Sequence, residues 1–135
     1  MRIVTVIAVV CYLFVVNNCL TTPSSPGTAS LEVLKKCSSE NNVQPLIADK
    51  LVKHTQAVSN KNEKCLLSCF LEGMEFYVNG EIKTDKILQY LKTSLSDEKY
   101  KNFEGTFKTC VSKVNKTDEC KLANEVHSCV DVEQS

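Results

Sequence analysis

The chain has 135 residues, and its 16 basic and 16 acidic side chains cancel. This balance gives no support for nucleic-acid binding, which requires a basic face, and it argues against strong electrostatic capture of a charged ligand. Eight cysteines in so short a chain point instead to disulfides and therefore to an oxidising compartment.

Residues 1–20 are predicted to be a secretory signal peptide, cleaved near residue 20. Arg2 supplies a positive charge, residues 3–16 form an apolar run broken only by Thr5, and a short polar segment follows. The run is shorter than the roughly 20 apolar residues of a membrane span, so no stable membrane insertion is expected. The mature protein is therefore predicted to be secreted and extracellular, and its six remaining cysteines predict three disulfides.

The mature chain is predicted to begin with a flexible lead-in over residues 21–30, rich in Pro, Ser, Gly and Thr. One helical domain over residues 31–135 follows. Leu31, Leu34 and Cys37 recur at a helical spacing and predict its first helix. Pro45 suits the first turn of a second helix, because its missing N–H would be unpaired there in any case.

A third helix is predicted over residues 63–73, with Gly73 near its end as a candidate C-cap. Asn79-Gly80 lies between two short β-prone runs, which is a hairpin signal. An isolated two-stranded hairpin is marginal in water, so a turn-rich loop is predicted over residues 76–83.

Apolar stripes predict a fourth helix from Thr84, a fifth after Ser96 and a sixth from Thr117 or Asp118. Each helix is too short to be stable alone in water. The predicted fold class is therefore all-α, a compact bundle of about six short helices held by three disulfides.

Cys65 and Cys69 lie four residues apart and therefore on one face of the third helix. They are not expected to bond to each other, and each is expected to join this helix to a different element. Six cysteines allow many connectivities, and spacing alone does not choose among them.

The cysteine order Cys37, Cys65-x3-Cys69, Cys110, Cys120-x8-Cys129, with gaps of 27, 3, 40, 9 and 8 residues, resembles the six-cysteine pattern of the insect odorant-binding proteins. The resemblance covers about residues 31–132. It implies the pairs Cys37–Cys69, Cys65–Cys120 and Cys110–Cys129, and six helices around one apolar cavity. It also implies carriage of small hydrophobic ligands through an extracellular fluid.

A cavity of a few hundred Å³ is expected, lined by the inward faces of these helices. The candidate ligand contacts are all apolar residues on those faces: Leu51, Phe70, Met74, Phe76, Ile87, Leu91, Phe107, Val111 and Val126. Each is equally compatible with plain core packing.

Polar side chains offer a second set of candidates. Tyr77, Tyr90 and Tyr100 carry hydroxyls for an alcohol, aldehyde or ester, although surface or half-buried tyrosine is the favoured interpretation of each. His54 and His127 are candidates for gating ligand release by protonation at about pH 6, against the commoner solvated or core-edge histidine.

No catalytic residue, cofactor or metal site is predicted, and the chain is not expected to be an enzyme. The two histidines have no acidic neighbour in sequence, and neither a G-x-S-x-G motif nor a phosphate loop occurs. The cysteines form no C-x2-C pair of the zinc-binding type. Asn115-Lys116-Thr117 is an N-glycosylation sequon.

The sequence is therefore compatible with two functions. The first is a secreted soluble carrier of small hydrophobic ligands such as odorants, pheromones or similar volatiles. The alternative is a secreted helical protein that binds a protein partner or acts in non-olfactory lipid carriage. A small hydrophobic ligand is the predicted partner, and contacts with a receptor or in a weak homodimer stay open.

Overall fold

The structure is a computed structural model that describes residues 26–131. The predicted signal peptide lies outside the described residues. Within them the chain forms six helices and one short hairpin, which confirms the all-α bundle. The elements in chain order are α1 Pro26–Glu40, α2 Pro45–Val52, α3 Lys61–Gly73, β1 Tyr77–Val78, β2 Glu81–Ile82, α4 Thr84–Lys92, α5 Asp97–Val111 and α6 Glu119–Asp131.

Part of the segment predicted to be a flexible lead-in belongs to helix α1. Residues 26–30 of that segment are helical, whereas residues 21–25 lie outside the described part of the chain. Within this stretch the Ser30 hydroxyl donates a hydrogen bond to the Gly27 carbonyl at 3.0 Å.

The turn-rich loop predicted over residues 76–83 is wrong, because this segment contains an antiparallel hairpin. Tyr77 pairs with Ile82, and the turn residues Asn79 and Gly80 have φ angles of 53° and 77°. Two positive φ values in a two-residue turn match the right-handed twist of the flanking strands. The hairpin is not isolated, because β1 contacts α3 and both members of the Tyr77–Ile82 pair pack against the core.

The three disulfides join helices in the pairs implied by the resemblance. Cys37–Cys69 links α1 to α3, Cys65–Cys120 links α3 to the first turn of α6, and Cys110–Cys129 links α5 to α6. Cys65 and Cys69 therefore bond to different elements, as their shared face predicted. Helices α3 and α6 form the most extensive helix–helix contact in the described bundle.

Three helices end in the same capping motif without a glycine in the left-handed position. Asn42 after α1, His54 after α2 and Glu75 after α3 have φ angles of 52°, 55° and 57°. At α2 the His54 N–H donates to the Leu51 carbonyl and the next N–H to the Lys50 carbonyl, which is the Schellman pattern.

Gly73 is not the residue that caps α3. It is the last helical residue, and a Cβ built there would lie 2.4 Å from Cγ1 of Val33 on α1. Glycine at this position therefore permits the close approach of α1 to α3, while Glu75 takes the left-handed conformation.

Candidate functional site

An apolar pocket of about 70 Å³ lies between the C-terminal end of α2, helices α3, α4 and α6, and the segment that leads into the hairpin. Its walls are apolar side chains with two histidines and one tyrosine: Val52, His54, Leu67, Phe70, Leu71, Phe76, Ile87, Tyr90, Leu91, Ala123, His127 and Val130. The pocket is smaller than the expected few hundred Å³.

Helical spacing explains how three helices converge on this pocket. Residues three and four apart share one face of a helix. Helix α3 presents Leu67, Phe70 and Leu71 in this spacing, and α4 presents Ile87, Tyr90 and Leu91 in the same spacing. Helix α6 presents one residue per turn: Ala123, His127 and Val130.

The nine apolar residues predicted as ligand contacts divide into two groups. The pocket wall contains four of them: Phe70, Phe76, Ile87 and Leu91. The others lie outside that wall. Leu51, Phe107, Val111 and Val126 are buried in the core, and Met74 is half-buried against it. Periodicity identified the inward faces, but it did not identify which inward residues face the pocket.

Five apolar wall residues were absent from the prediction: Val52, Leu67, Leu71, Ala123 and Val130. Leu67 lies three residues before Phe70, and Leu71 directly follows it. Both could have been predicted as neighbours of Phe70 on the same helix. Ala123 has a small side chain that leaves space in the pocket, and sequence alone does not reveal that role.

The two histidines form a cluster with Asp131 at one end of the pocket. Their rings stack with centroids 4.0 Å apart and planes 20° apart. His127 Nε2 lies 2.7 Å from the Leu51 carbonyl oxygen. His54 Nδ1 lies 2.6 Å from Asp131 Oδ1, and His127 Nδ1 lies 3.3 Å from Asp131 Oδ2.

The partners of the histidines determine where their protons lie. A carbonyl oxygen only accepts, so His127 donates from Nε2. The carboxylate likewise accepts, so His54 donates from Nδ1. Burial lowers the pKa of His54, and the nearby His127 lowers it further, against an opposing effect of Asp131. At neutral pH His54 is therefore the neutral imidazole with its lone pair on Nε2.

The tyrosines and the sequon occupy different parts of the structure. Tyr90 lines the pocket and packs against Phe76 with ring centroids 5.4 Å apart. Tyr77 and Tyr100 are half-buried outside the pocket wall. Asn115 is exposed, and its side-chain oxygen accepts a hydrogen bond from the Thr117 N–H at 3.2 Å. Glycosylation of this residue stays a prediction.

Across residues 26–131, none of the helices has both the length and the apolar character required to cross a membrane. The model of the PBP/GOBP family matches residues 28–132, which covers all six helices except the first two residues of α1. No curated protein matches the chain, and no solved structure matches it.

Proposed function

Because the chain belongs to the PBP/GOBP family, the insect odorant- and pheromone-binding proteins, we propose that it is a secreted carrier that binds small hydrophobic ligands in the pocket between α3, α4 and α6. The observation that carries this proposal is the convergence of three apolar helix faces on one pocket, with α3 and α6 joined by a disulfide. The pocket wall residues, including the predicted Phe70, Phe76, Ile87 and Leu91, are the proposed ligand contacts.

The size of the pocket narrows the ligand class. A volume of about 70 Å³ suits a small volatile better than a long-chain lipid. Even a fully enclosed and empty cavity of this size would destabilise the fold by only about 2 kcal/mol, at roughly 24 cal/mol per Å³. One disulfide, at about 2–4 kcal/mol, offsets that amount, so the bundle tolerates the pocket when no ligand is bound.

The described surface does not favour the protein-partner alternative. The large hydrophobic residues exposed within residues 26–131 are two leucines, Leu31 on α1 and Leu46 on α2. Exposed apolar patches that mark an interaction site cover roughly a few hundred Å² or more, which two side chains do not provide. Carriage of a small ligand therefore remains the function that the geometry supports best.

The proposal is tested with a fluorescent hydrophobic probe and the oxidised mature protein. We expect one probe bound per chain, and its displacement by small volatile alcohols or esters. Absence of probe binding by correctly oxidised protein would contradict the carrier function.

A matched pair of substitutions tests where the ligand binds. Phe70 and Phe107 are both buried phenylalanines, but only Phe70 lines the pocket. We expect Phe70→Leu to weaken probe binding by about tenfold or more, since removing three buried carbons is equivalent to about 2 kcal/mol. Phe107→Leu should lower stability and leave probe affinity unchanged. Equal effects of the two substitutions on affinity would place the ligand elsewhere.

A further inference from the structure

We propose that His54, His127 and Asp131 form a binding site for a transition-metal ion, with Zn²⁺ the ion whose ligand preferences it fits. One nitrogen from each histidine and one carboxylate oxygen lie within 4.8 Å of one another. Two imidazoles and a carboxylate form a common zinc ligand set, in which water takes the fourth position. The site lies where the C-terminal turn of α2 meets the last turn of α6.

The Nε2 atom of His127 forms the hydrogen bond that is typical of a metal-binding histidine. Such a histidine almost always donates its other N–H to a carbonyl or a carboxylate, which fixes the tautomer and the orientation of the ring. His127 donates from Nε2 to the Leu51 carbonyl at 2.7 Å. A neutral His127 therefore presents the lone pair of Nδ1 towards Asp131.

The contact between His127 and Asp131 has the geometry of two ligands of one ion. Nδ1 of His127 and Oδ2 of Asp131 face each other across 3.3 Å, and each can present a lone pair to a metal ion. The His54 ring stacks on the His127 ring with centroids 4.0 Å apart, so an ion held by the other two residues lies within reach of His54 as well.

The distances need only local adjustment to accommodate the ion. Zinc binds histidine nitrogen and carboxylate oxygen at about 2.0–2.2 Å, so tetrahedral ligand atoms lie about 3.3 Å apart. His127 Nδ1 and Asp131 Oδ2 already have this separation. The ion replaces the Nδ1 proton of His54, and the His54 ring turns out of its stacked position, because Leu51 holds the His127 ring.

The burial of the three side chains suits an ion that reaches the site from solvent. The side chains of His54 and His127 are 12% and 7% exposed, whereas that of Asp131 is 45% exposed. Asp131 therefore provides the accessible ligand, and the histidines provide the sheltered ones. The sequence indicated no metal site, because 73 residues separate the two histidines along the chain.

The test is calorimetric titration of tag-free oxidised protein with Zn²⁺ at neutral pH. We expect one ion per chain, and a loss of affinity greater than about tenfold in Asp131→Asn and in His54→Asn. Asparagine suits position 54, since Asn42 has a similar φ of 52° at the end of α1. Asp49→Asn is the matched control, because it removes a carboxylate of α2 that pairs with Lys53 and not with the cluster.

Co²⁺ provides a second readout, because its visible spectrum reports tetrahedral coordination by nitrogen and oxygen. Zinc binding that neither variant weakens, or no binding at all, would overturn the site. The fluorescent-probe assay shows separately whether the carrier function fails. Protein that binds Zn²⁺ but no hydrophobic probe would support the metal site and contradict the proposed carrier. Protein that binds the probe but no Zn²⁺ would support the carrier and contradict the metal site.

Discussion

His54 meets three structural requirements at one position. Its backbone has the left-handed conformation that ends α2, its ring forms part of the pocket wall, and its Nδ1 bonds Asp131 at a separation of 77 residues. Glycine or asparagine would end the helix with less backbone strain. What His54 adds at this position, compared with glycine or asparagine, is its ring.

The protonation of His54 predicts a ligand preference within the proposed carrier function. His54 donates its Nδ1 proton to Asp131, and Nε2, which forms no hydrogen bond within residues 26–131, is not fully buried. A lone pair in an apolar wall accepts from a hydroxyl and repels a carbonyl oxygen. We expect an alcohol to displace the probe about tenfold better than the ketone of the same carbon skeleton, at roughly 1 kcal/mol per hydrogen bond.

Two variants distinguish the effect of His54 on ligand preference from that of the Tyr90 hydroxyl, which could also bond an alcohol. His54→Asn should weaken the preference for alcohol, since an amide both donates and accepts. Tyr90→Phe, which keeps the ring and removes the hydroxyl, should leave the preference intact. Equal displacement by the alcohol and the ketone in the unsubstituted protein would show that Nε2 does not contact the ligand.

At the scale of elements, the contact between α1 and α3 depends on the absence of one side chain. A Cβ at Gly73 would meet Val33 at 2.4 Å, whereas a Cβ at Gly105 in α5 would meet nothing within 4 Å. Val33 is β-branched and therefore has few alternative rotamers. The same substitution should thus have opposite effects at the two glycines.

We expect Gly73→Ala to lower the free energy of unfolding by about 1–3 kcal/mol through overpacking. Gly105→Ala should raise it by about 0.5–1 kcal/mol, because alanine is the better helix former. Urea denaturation of the oxidised proteins measures both changes. Adding Val33→Ala should recover part of the loss at Gly73, and a lack of recovery would mean that α1 does not pack there as described.

The elements also show how far sequence reasoning reaches. Helical periodicity predicted the helices, because each buries one face, as with Leu34 and Cys37 of α1. The loop predicted over residues 76–83 was wrong because the hairpin formed there is stabilised by contacts with α3 that no local pattern reveals. The apolar wall was predicted in part, at Phe70 for instance. The His54–Asp131 pair was not predicted, because only the assembled bundle brings the two residues together.

At the scale of the whole molecule, the disulfides fix one side of the pocket and not the other. Helices α3 and α6 are joined by Cys65–Cys120, and each has a further bridge to another helix. Helices α2 and α4 carry no cysteine. The α4 wall, with Ile87, Tyr90 and Leu91, is therefore held without a covalent cross-link.

This asymmetry predicts a gradient of local stability. Amide hydrogen exchange should be faster in α4 than in α3 and α6, because local opening of α4 breaks no covalent cross-link. A ligand in the pocket should slow exchange in α4 more than in α5, most of which lies away from the pocket wall. Mass spectrometry of the oxidised protein with and without ligand measures both effects. Uniform protection across the four helices would contradict the prediction.

The buried histidine cluster should make the stability of the whole molecule dependent on pH. Burial and the neighbouring His127 lower the pKa of His54 below its ordinary value of 6.5, while Asp131 only partly opposes them. Between the folded and unfolded pKa values the unfolded chain binds more protons, so the free energy of unfolding rises with pH. The contribution of His54 is fully present above pH 6.5 and is lost as the pH falls below that value.

Urea denaturation of the oxidised protein at several pH values above about 5 measures this dependence, since most carboxylates remain ionised there. We expect a shallower slope in His54→Asn, which keeps the backbone conformation but removes the titrating ring. Identical slopes in the two proteins would show that His54 titrates alike in the folded and unfolded states, contrary to its burial in the pocket wall.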